Sequence, residues 1–436
     1  MSTALSLRTT GLQKIEKPEL KFAPAQIHNA LPKPPKVCDT LNCAVPAGTE
    51  GAGRMKVLAA ELAELSDEQR LAMRIHVEEL ARHMIHLGAS DLDAGGPAAN
   101  EVVWYRTNGR KMPCVELGTI PVEIMDVLAL NLLSEPQMET LFDEYAVDFS
   151  MEVNGEGLTA ARRFRVSVYF DEKNLAINIR AIKRELRALD SMGFHPVVQQ
   201  GLLFSNVRDG LTLITGVTGS GKSSTLDAIV DANNRNVEGH IVVIGDPVEY
   251  VHQSDKCIIR HREVGIGVAS FKAGVVQSMR QDPDMIVIGE MRDKDTINAT
   301  LEVTDSGHRI FSTLHTRSAV ESIDRIIAEY PSEEQDRVRN RLADVLQCVI
   351  SQKLCPRIGG GLVLAKEVLW MTPSIQAAIK NGNLSEIYQM LWEGNQKGQI
   401  TLEQDLYLLM RKGQISPDTA MSYANNKKRL KQLLGG

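Results

Sequence analysis

A chain of 436 residues is too long for one ordinary compact core, so two to three domains are expected. Its 43% apolar content is that of a globular protein, and a net charge of -6 excludes a surface coated in basic groups for bulk nucleic-acid binding. The six cysteines lack the spacing of a disulfide framework, and Cys38 and Cys43 have no second pair to complete a zinc site, so all six are read as free thiols in a reducing compartment.

The opening stretch MSTALSLRTTGLQKIEKPEL has no apolar core of signal-peptide length, and no run of 18 apolar residues occurs. A cytoplasmic protein is expected, reaching a membrane only by recruitment and without inserting into it. Residues 1–53 are rich in Pro, Ala, Thr and Lys with no sustained period, and read as a flexible leader. From Arg54 to Leu87 the apolar residues Val57, Leu58, Leu62, Leu65, then Leu71, Ile75, Leu80 and Ile85 recur at three- and four-residue steps. That spacing predicts amphipathic helix, interrupted at Ser66–Asp67, which has the character of a helix N-cap.

EVVWY (Glu101 to Tyr105) and RFRVSVYF (Arg163 to Phe170) read as strands, with the turn signals TNGRKMP between them. Residues 54–187 therefore form a small mixed α/β domain, and 188–200, containing ALDSMGFHP, a linker. In 201–371 the runs LTLIT, HIVVIG, DMIVIG and HRIFSTL alternate with helix-period segments, which predicts a doubly wound parallel sheet buried on both faces. Residues 372–436 turn helical and polar, and the basic NNKKRLKQLL reads as a solvated helix end.

Between a strand and a helix lies GVTGSGKS, Gly216 to Ser223, which fits G-x-x-x-x-G-K-[ST]. Glycines let successive N–H groups converge on phosphate oxygens, and the following helix points its positive end at the same place. Gly216, Thr218, Gly219, Ser220, Gly221, Lys222, Ser223 and Ser224 are the nucleotide-binding candidates. Lys222 is expected at the β and γ phosphates and the Ser223 hydroxyl on Mg2+. Phosphoryl transfer to water also needs a carboxylate by the attacking water and cations opposite the γ-phosphate. Glu290 ends the strand DMIVIG, and Asp246 and Glu249 follow HIVVIG, where the carboxyl ends of parallel strands face a ligand crevice. His308 and His315 bracket HRIFSTL, and His315 leaves on that same side.

GVTGSGKSS, GDPVEY with HREV after it, RQDPDMIVIGEMRD, TDSGHRIFSTLHT and LADVLQCVISQKLCPRIGGG together resemble the PilT-type ATPases of bacterial type IV pili, within the broader secretion-ATPase superfamily. The likeness spans about residues 54 to 425. It implies a RecA-like P-loop motor domain, a PAS-like amino-terminal α/β domain and a helical carboxyl-terminal region, assembled as a ring, usually a hexamer. Nucleotide would lie between the two domains at a subunit boundary, with a neighbouring copy lending its guanidinium groups. The likeness implies ATP and Mg2+ as ligands, Glu249 polarising the attacking water, Glu290 as the acid of the metal strand beside Ser223, and His315 and His308 in the histidine box. It places Arg165 and Arg180, from RFRVSVYFDEKNLAINIR, where arginines reach nucleotide, and leaves Arg163 as a surface strand cation. The implied partner is an inner-membrane platform protein.

Some positions depart from that pattern. Gly245 stands where the family has Glu, Lys173 where Arg is common, Ser224 replaces a frequent Thr, SIQAAIKNG differs from the stretch linked with retraction, and the leader is long. The leading expectation is an ATP-driven motor for pilus disassembly. Its alternatives are a secretion, pilus-extension or conjugation motor, and a nucleotide-binding regulatory subunit that turns over little ATP.

Overall fold

The computed structural model describes residues 33–107, 109–154, 161–182, 186–394 and 398–435. Strands β1 (Asp91–Gly95), β2 (Trp104–Thr107), β3 (Arg110–Pro113), β4 (Ala146–Val153), β5 (Arg162–Asp171) and β6 (Asn174–Ala181) form an antiparallel sheet in the order β3-β2-β1-β6-β5-β4. In β5, Phe164, Val166 and Val168 are fully buried while the residues between them are not, the two-residue period of a sheet covered on one face. Arg163 and Arg165 therefore share the opposite face.

Helices Gly51–Ala63, Asp67–His86 and Val122–Asn131 contribute much of the rest of that core. The break between the first two falls where the sequence predicts it. Ser66 Oγ accepts from the Gln69 amide, and Gln69 Oε1 accepts from the Ser66 amide at 3.1 Å, a reciprocal cap that starts the longer helix.

Two boundary expectations need correction. Inside the expected leader, Val37–Ala44 is a helix whose Cys38 and Leu41 are buried in the amino-terminal core. Residues 1–32 of that leader lie outside the described residues. The expected linker 188–200 is also packed structure: Leu189, Phe194 and Val198 join Ile229, Phe311 and Ile350 in one apolar cluster, because three large apolar side chains in thirteen residues find more to bury against than a linker would.

The second sheet comprises β7 (Gly210–Thr215), β8 (Gly239–Gly245), β9 (Cys257–Glu263), β10 (Met285–Ile288), β11 (Arg309–Leu314), β12 (Leu346–Pro356) and β13 (Leu362–Trp370), in the order β13-β12-β7-β11-β10-β8-β9. All neighbours pair parallel except β12 and β13, so the expected parallel sheet carries an antiparallel edge. Every residue of β7, β10 and β11 is buried, as the unbroken apolar runs require of strands covered on both faces. Helices Pro373–Lys380 and Leu384–Glu393 bury Ile375, Ile379, Ile387 and Leu391 in the motor core, whereas Leu402–Arg411 and the helices after it pack over Cys355 and Ala365. All six cysteines are free. Among the described residues no helix is long and apolar enough to cross a membrane.

Candidate active site

β7 delivers the chain into the glycine-rich loop, and helix Lys222–Asn236 leaves it. Gly216, Gly219 and Gly221 have φ of 150°, 80° and 91°, backbone conformations that side-chain-bearing residues rarely adopt. A Cβ on Gly216 would lie 2.3 Å from Ser220 Oγ and 2.6 Å from the Gln352 carbonyl, while one on Gly219 would meet nothing within 4 Å. The loop is thus closed against β12 on one side and open on the other, with Thr218 exposed at its tip. Gln352 Nε2 fixes it by donating to the Ser220 carbonyl at 3.1 Å. Ser220 Oγ is buried with no hydrogen-bond partner among the described residues.

Lys222 folds back over the loop, its ammonium donating to the carbonyls of Gly216 at 2.9 Å and Val217 at 3.3 Å. Burial lowers its pKa from the ordinary lysine value, and the nearby carboxylates of Glu290 and Glu249 oppose that shift. Glu249 is hydrogen-bonded by the Ser223 hydroxyl. The walls around it push its carboxyl above the usual range, against the pull of that bond and of Arg165 and Arg180, with Asp227 adding to the rise. Asp246, at the same strand end, is likewise raised by burial and opposed by Arg165 and Arg292.

Glu290 and His315 follow the parallel neighbours β10 and β11 and so emerge together at the carboxyl edge of the sheet. The Glu290 carboxylate pairs with Arg292 and lies 3.6 Å from His315 Nε2. Burial, with help from Lys222, lowers the His315 pKa and favours the neutral ring. His308 is not brought to this edge. It precedes β11 at the opposite end, its Nδ1 set 3.0 Å from Ser306 Oγ and 3.2 Å from the Val303 carbonyl.

The amino-terminal sheet supplies the facing wall. Arg165 donates to Asp148 Oδ2 at 2.8 Å, and Arg180 Nε donates to Asp91 Oδ1 at 2.7 Å. Both arginines line a cleft of about 930 Å³ together with Gly219, Gly221, Ser224 and Glu249. Within one chain the fold thus brings both arginines to the cleft that the loop lines. The reading of Arg163 as a surface cation is corrected. Its side chain is 23% exposed and pairs with Glu263 at the end of β9, a residue 100 positions away.

Lys173 lies in the turn between β5 and β6, pairs with Glu50 and does not line the cleft. Gly245 is held by packing, since a Cβ there would come within 2.9 Å of Val248 Cα. The sequence reading missed Asp91, Asp148, Glu263 and Arg292. Glu263 and Arg292 lie inside the motif segments HREV and GEMRD, where a charged residue adjoining a strand end was the available signal. Asp91 and Asp148 emerge only once the strands are paired.

Among the described residues no group of three or more acidic, histidine or cysteine side chains is arranged to hold a metal. The hydroxyl of Ser223 beside Glu249, with Glu290 at the neighbouring strand end, is instead the sparse oxygen set suited to a Mg2+ that takes its other ligands from phosphate and water.

A family model described as Type II/IV secretion system protein matches residues 149–420. The type IV pilus retraction ATPase PilT of Pseudomonas aeruginosa is 38% identical over 350 residues, covering 80% of this chain and 98% of that protein. A twitching motility protein of Neisseria gonorrhoeae is 34% identical over 313 residues, covering 72% and 82%. The crystal structure of the pilus retraction motor PilT with bound ADP superposes with a TM-score of 0.71 at 34% identity, covering 82% of this chain and 99% of that one.

Proposed function

The chain belongs to the type II/IV secretion system protein family, and on that premise we propose that it is an ATP-hydrolysing motor that drives disassembly of type IV pili, the work of retraction and twitching. The observation that carries this reading is the convergence of the loop, Glu249, Arg165 and Arg180 on one cleft. The near-complete coverage of a relative named as a retraction ATPase supports the direction of work.

ATP is the substrate. Its phosphates are held by the backbone amides from Thr218 to Ser224, and Lys222 trades its two carbonyl contacts for the β and γ phosphates. Glu249 polarises a water for in-line attack on the γ-phosphorus. As that bond forms, the bond to the β–γ bridging oxygen breaks and ADP leaves with the charge. Arg165 and Arg180 stabilise the charge spread over the transferring group, a task suited to a planar cation that never loses its proton. Ser223 and Glu290 would hold Mg2+, which when bound supplies charge neutralisation on the phosphate oxygens. Neutral His315, beside Glu290, stands where it senses the state of the γ-phosphate.

Hydrolysis becomes movement when the amino-terminal domain and the motor change their mutual angle as the cleft opens and closes. Copies act together in a ring, which we take to be a hexamer, in the cytoplasm against an inner-membrane platform protein. Steady-state ATP turnover with Mg2+ tests the reading. Turnover is expected in the unsubstituted chain and its loss, by about a hundredfold or more, in Lys222→Ala and Glu249→Gln. Turnover indifferent to both substitutions contradicts it. Normal pilus retraction after deletion of the gene would instead point to secretion or extension as the work done.

A further inference from the structure

β9 ends at Glu263, a carboxylate only 8% exposed, whose two oxygens are both engaged. Oε1 accepts from Ser150 Oγ at 2.7 Å. Oε2 accepts from the Arg163 guanidinium and from the backbone amide of Val248 at 3.1 Å. Arg163 also donates to Ser150 Oγ at 2.7 Å, closing a triangle between β4, β5 and the end of β9. The first two residues belong to the amino-terminal sheet and the third to the motor. Val248 is the residue immediately before Glu249.

Three features make this more than an ion pair holding two domains together. Arg163 and Arg165 are two residues apart on one strand and project from the same face, so the strand that reaches the cleft is the strand that grips Glu263. The turn bearing Glu249 is anchored to the end of β9 twice, once through Val248 and once by the Val264 amide donating to the Gly245 carbonyl at 2.9 Å. The two bonds converging on Oε2 involve a charged acceptor in a place shielded from water, where such bonds are strongest and their geometry most strictly held.

We propose that Glu263 is a positioning residue for hydrolysis, transmitting the placement of the amino-terminal sheet, through Arg163 and Ser150, to the backbone of the turn that aims Glu249. The inference rests on the reading of the protein as an ATP-hydrolysing motor. When the cleft is closed the triangle is intact and Glu249 is held on the attacking water. When the sheet swings away, Oε2 loses its guanidinium, the Val248 amide loses a fixed partner, and Glu249 loses its aim. Arg163 thus acts through Glu263, whereas Arg165, on the same strand, acts on the nucleotide.

The test uses the full chain, with kcat for ATP measured beside ADP affinity by calorimetry for Glu263→Gln, Arg163→Gln, the double variant and Arg163→Lys. Each single Gln variant is expected to lower kcat by about tenfold or more while ADP affinity stays within about threefold. The double variant is expected to be no slower than the slower single, as for residues acting through one contact. Arg163→Lys, which keeps a cation for Glu263 and guards against a chain that fails to fold, is expected to recover part of the rate lost in Arg163→Gln. The inference is overturned by an unchanged kcat in Glu263→Gln, by loss of ADP affinity in step with kcat, by single losses that multiply in the double, or by no recovery in Arg163→Lys. Absence of turnover in the unsubstituted chain overturns the motor reading as well, whereas turnover abolished by Lys222→Ala but untouched by Glu263→Gln overturns the inference alone.

Discussion

The Arg165 guanidinium donates to Asp148 Oδ2 at 2.8 Å across the neighbouring strands β5 and β4, and this pair holds a long side chain on the cleft wall. Desolvation alone would lower the Arg165 pKa, but Asp148, then Asp246 and Glu249, more than offset it. An anchored cation costs less ordering at the transition state than one recruited from solvent. Asp148→Ala is expected to lower kcat by about tenfold, and Arg165→Ala by about a hundredfold or more, in steady-state turnover. Equal rates in Asp148→Ala and the unsubstituted chain would remove the anchoring role.

Glu249 must be ionised to polarise water, and enclosure raises its pKa from the ordinary glutamate value. The acid limb of the kcat profile is therefore expected at a pH above that of a free glutamate. Because Arg165 and Arg180 lower this pKa, Arg180→Gln is expected to move the limb to still higher pH. A limb that stays in place, with only the plateau reduced, would separate Arg180 from Glu249.

Much of the motor was legible because its strands are buried on both faces. LTLIT, HIVVIG, DMIVIG and HRIFSTL announce themselves without long-range information, and their carboxyl ends locate Glu249, Glu290 and His315. β12 was not read as a strand, because it follows helix Ser332–Val345 with no intervening turn signal and mixes Gln and Lys into its apolar run. Arg163 was misjudged for a different reason. Its alternation in β5 marks it correctly as facing away from the amino-terminal core, but what covers it is a carboxylate from another sheet. Strand period reveals which face a side chain takes and nothing of what lies beyond it.

Gly245 departs from the acidic residue of the resembled family, and its packing gives a reason for glycine here. A Cβ would sit 2.9 Å from Val248 Cα and 3.1 Å from the Pro247 carbonyl, both backbone atoms that have little room to give. Gly245→Ala is expected to cost about 1–3 kcal/mol by overpacking the turn, read as a lower midpoint in denaturant or thermal unfolding. An unchanged midpoint would show that the turn relaxes without strain.

Glu367 is fully buried in β13, where its carboxylate accepts from the Ala319 amide at 2.7 Å. Burial, together with the neighbouring Glu403, raises its pKa from 4.5 to about 7. The folded value lies above the unfolded one, so its contribution is fully present below about 4.5, declines as pH rises toward about 7, and levels off beyond. At ~1.4 kcal/mol per unit, the decline is on the order of 3 kcal/mol. The difference in melting temperature between the unsubstituted chain and Glu367→Gln is expected to shrink, or turn in favour of Gln, across that window. Parallel melting profiles would show that Glu367 is ionised throughout.

Within one chain the phosphate loop and both arginines line the same cleft, and the proposed mechanism has the two sets of groups act within one subunit. Mixing Lys222→Ala chains with chains bearing Arg165→Ala and Arg180→Ala, after dissociation and reassembly, separates the possibilities because each parent lacks a different half of the site. ATP turnover in the mixed assemblies is expected to stay at the level of the two inactive parents. Recovery of a substantial fraction of the unsubstituted rate would mean that the arginines reach a neighbour's nucleotide, and would contradict the arrangement described above.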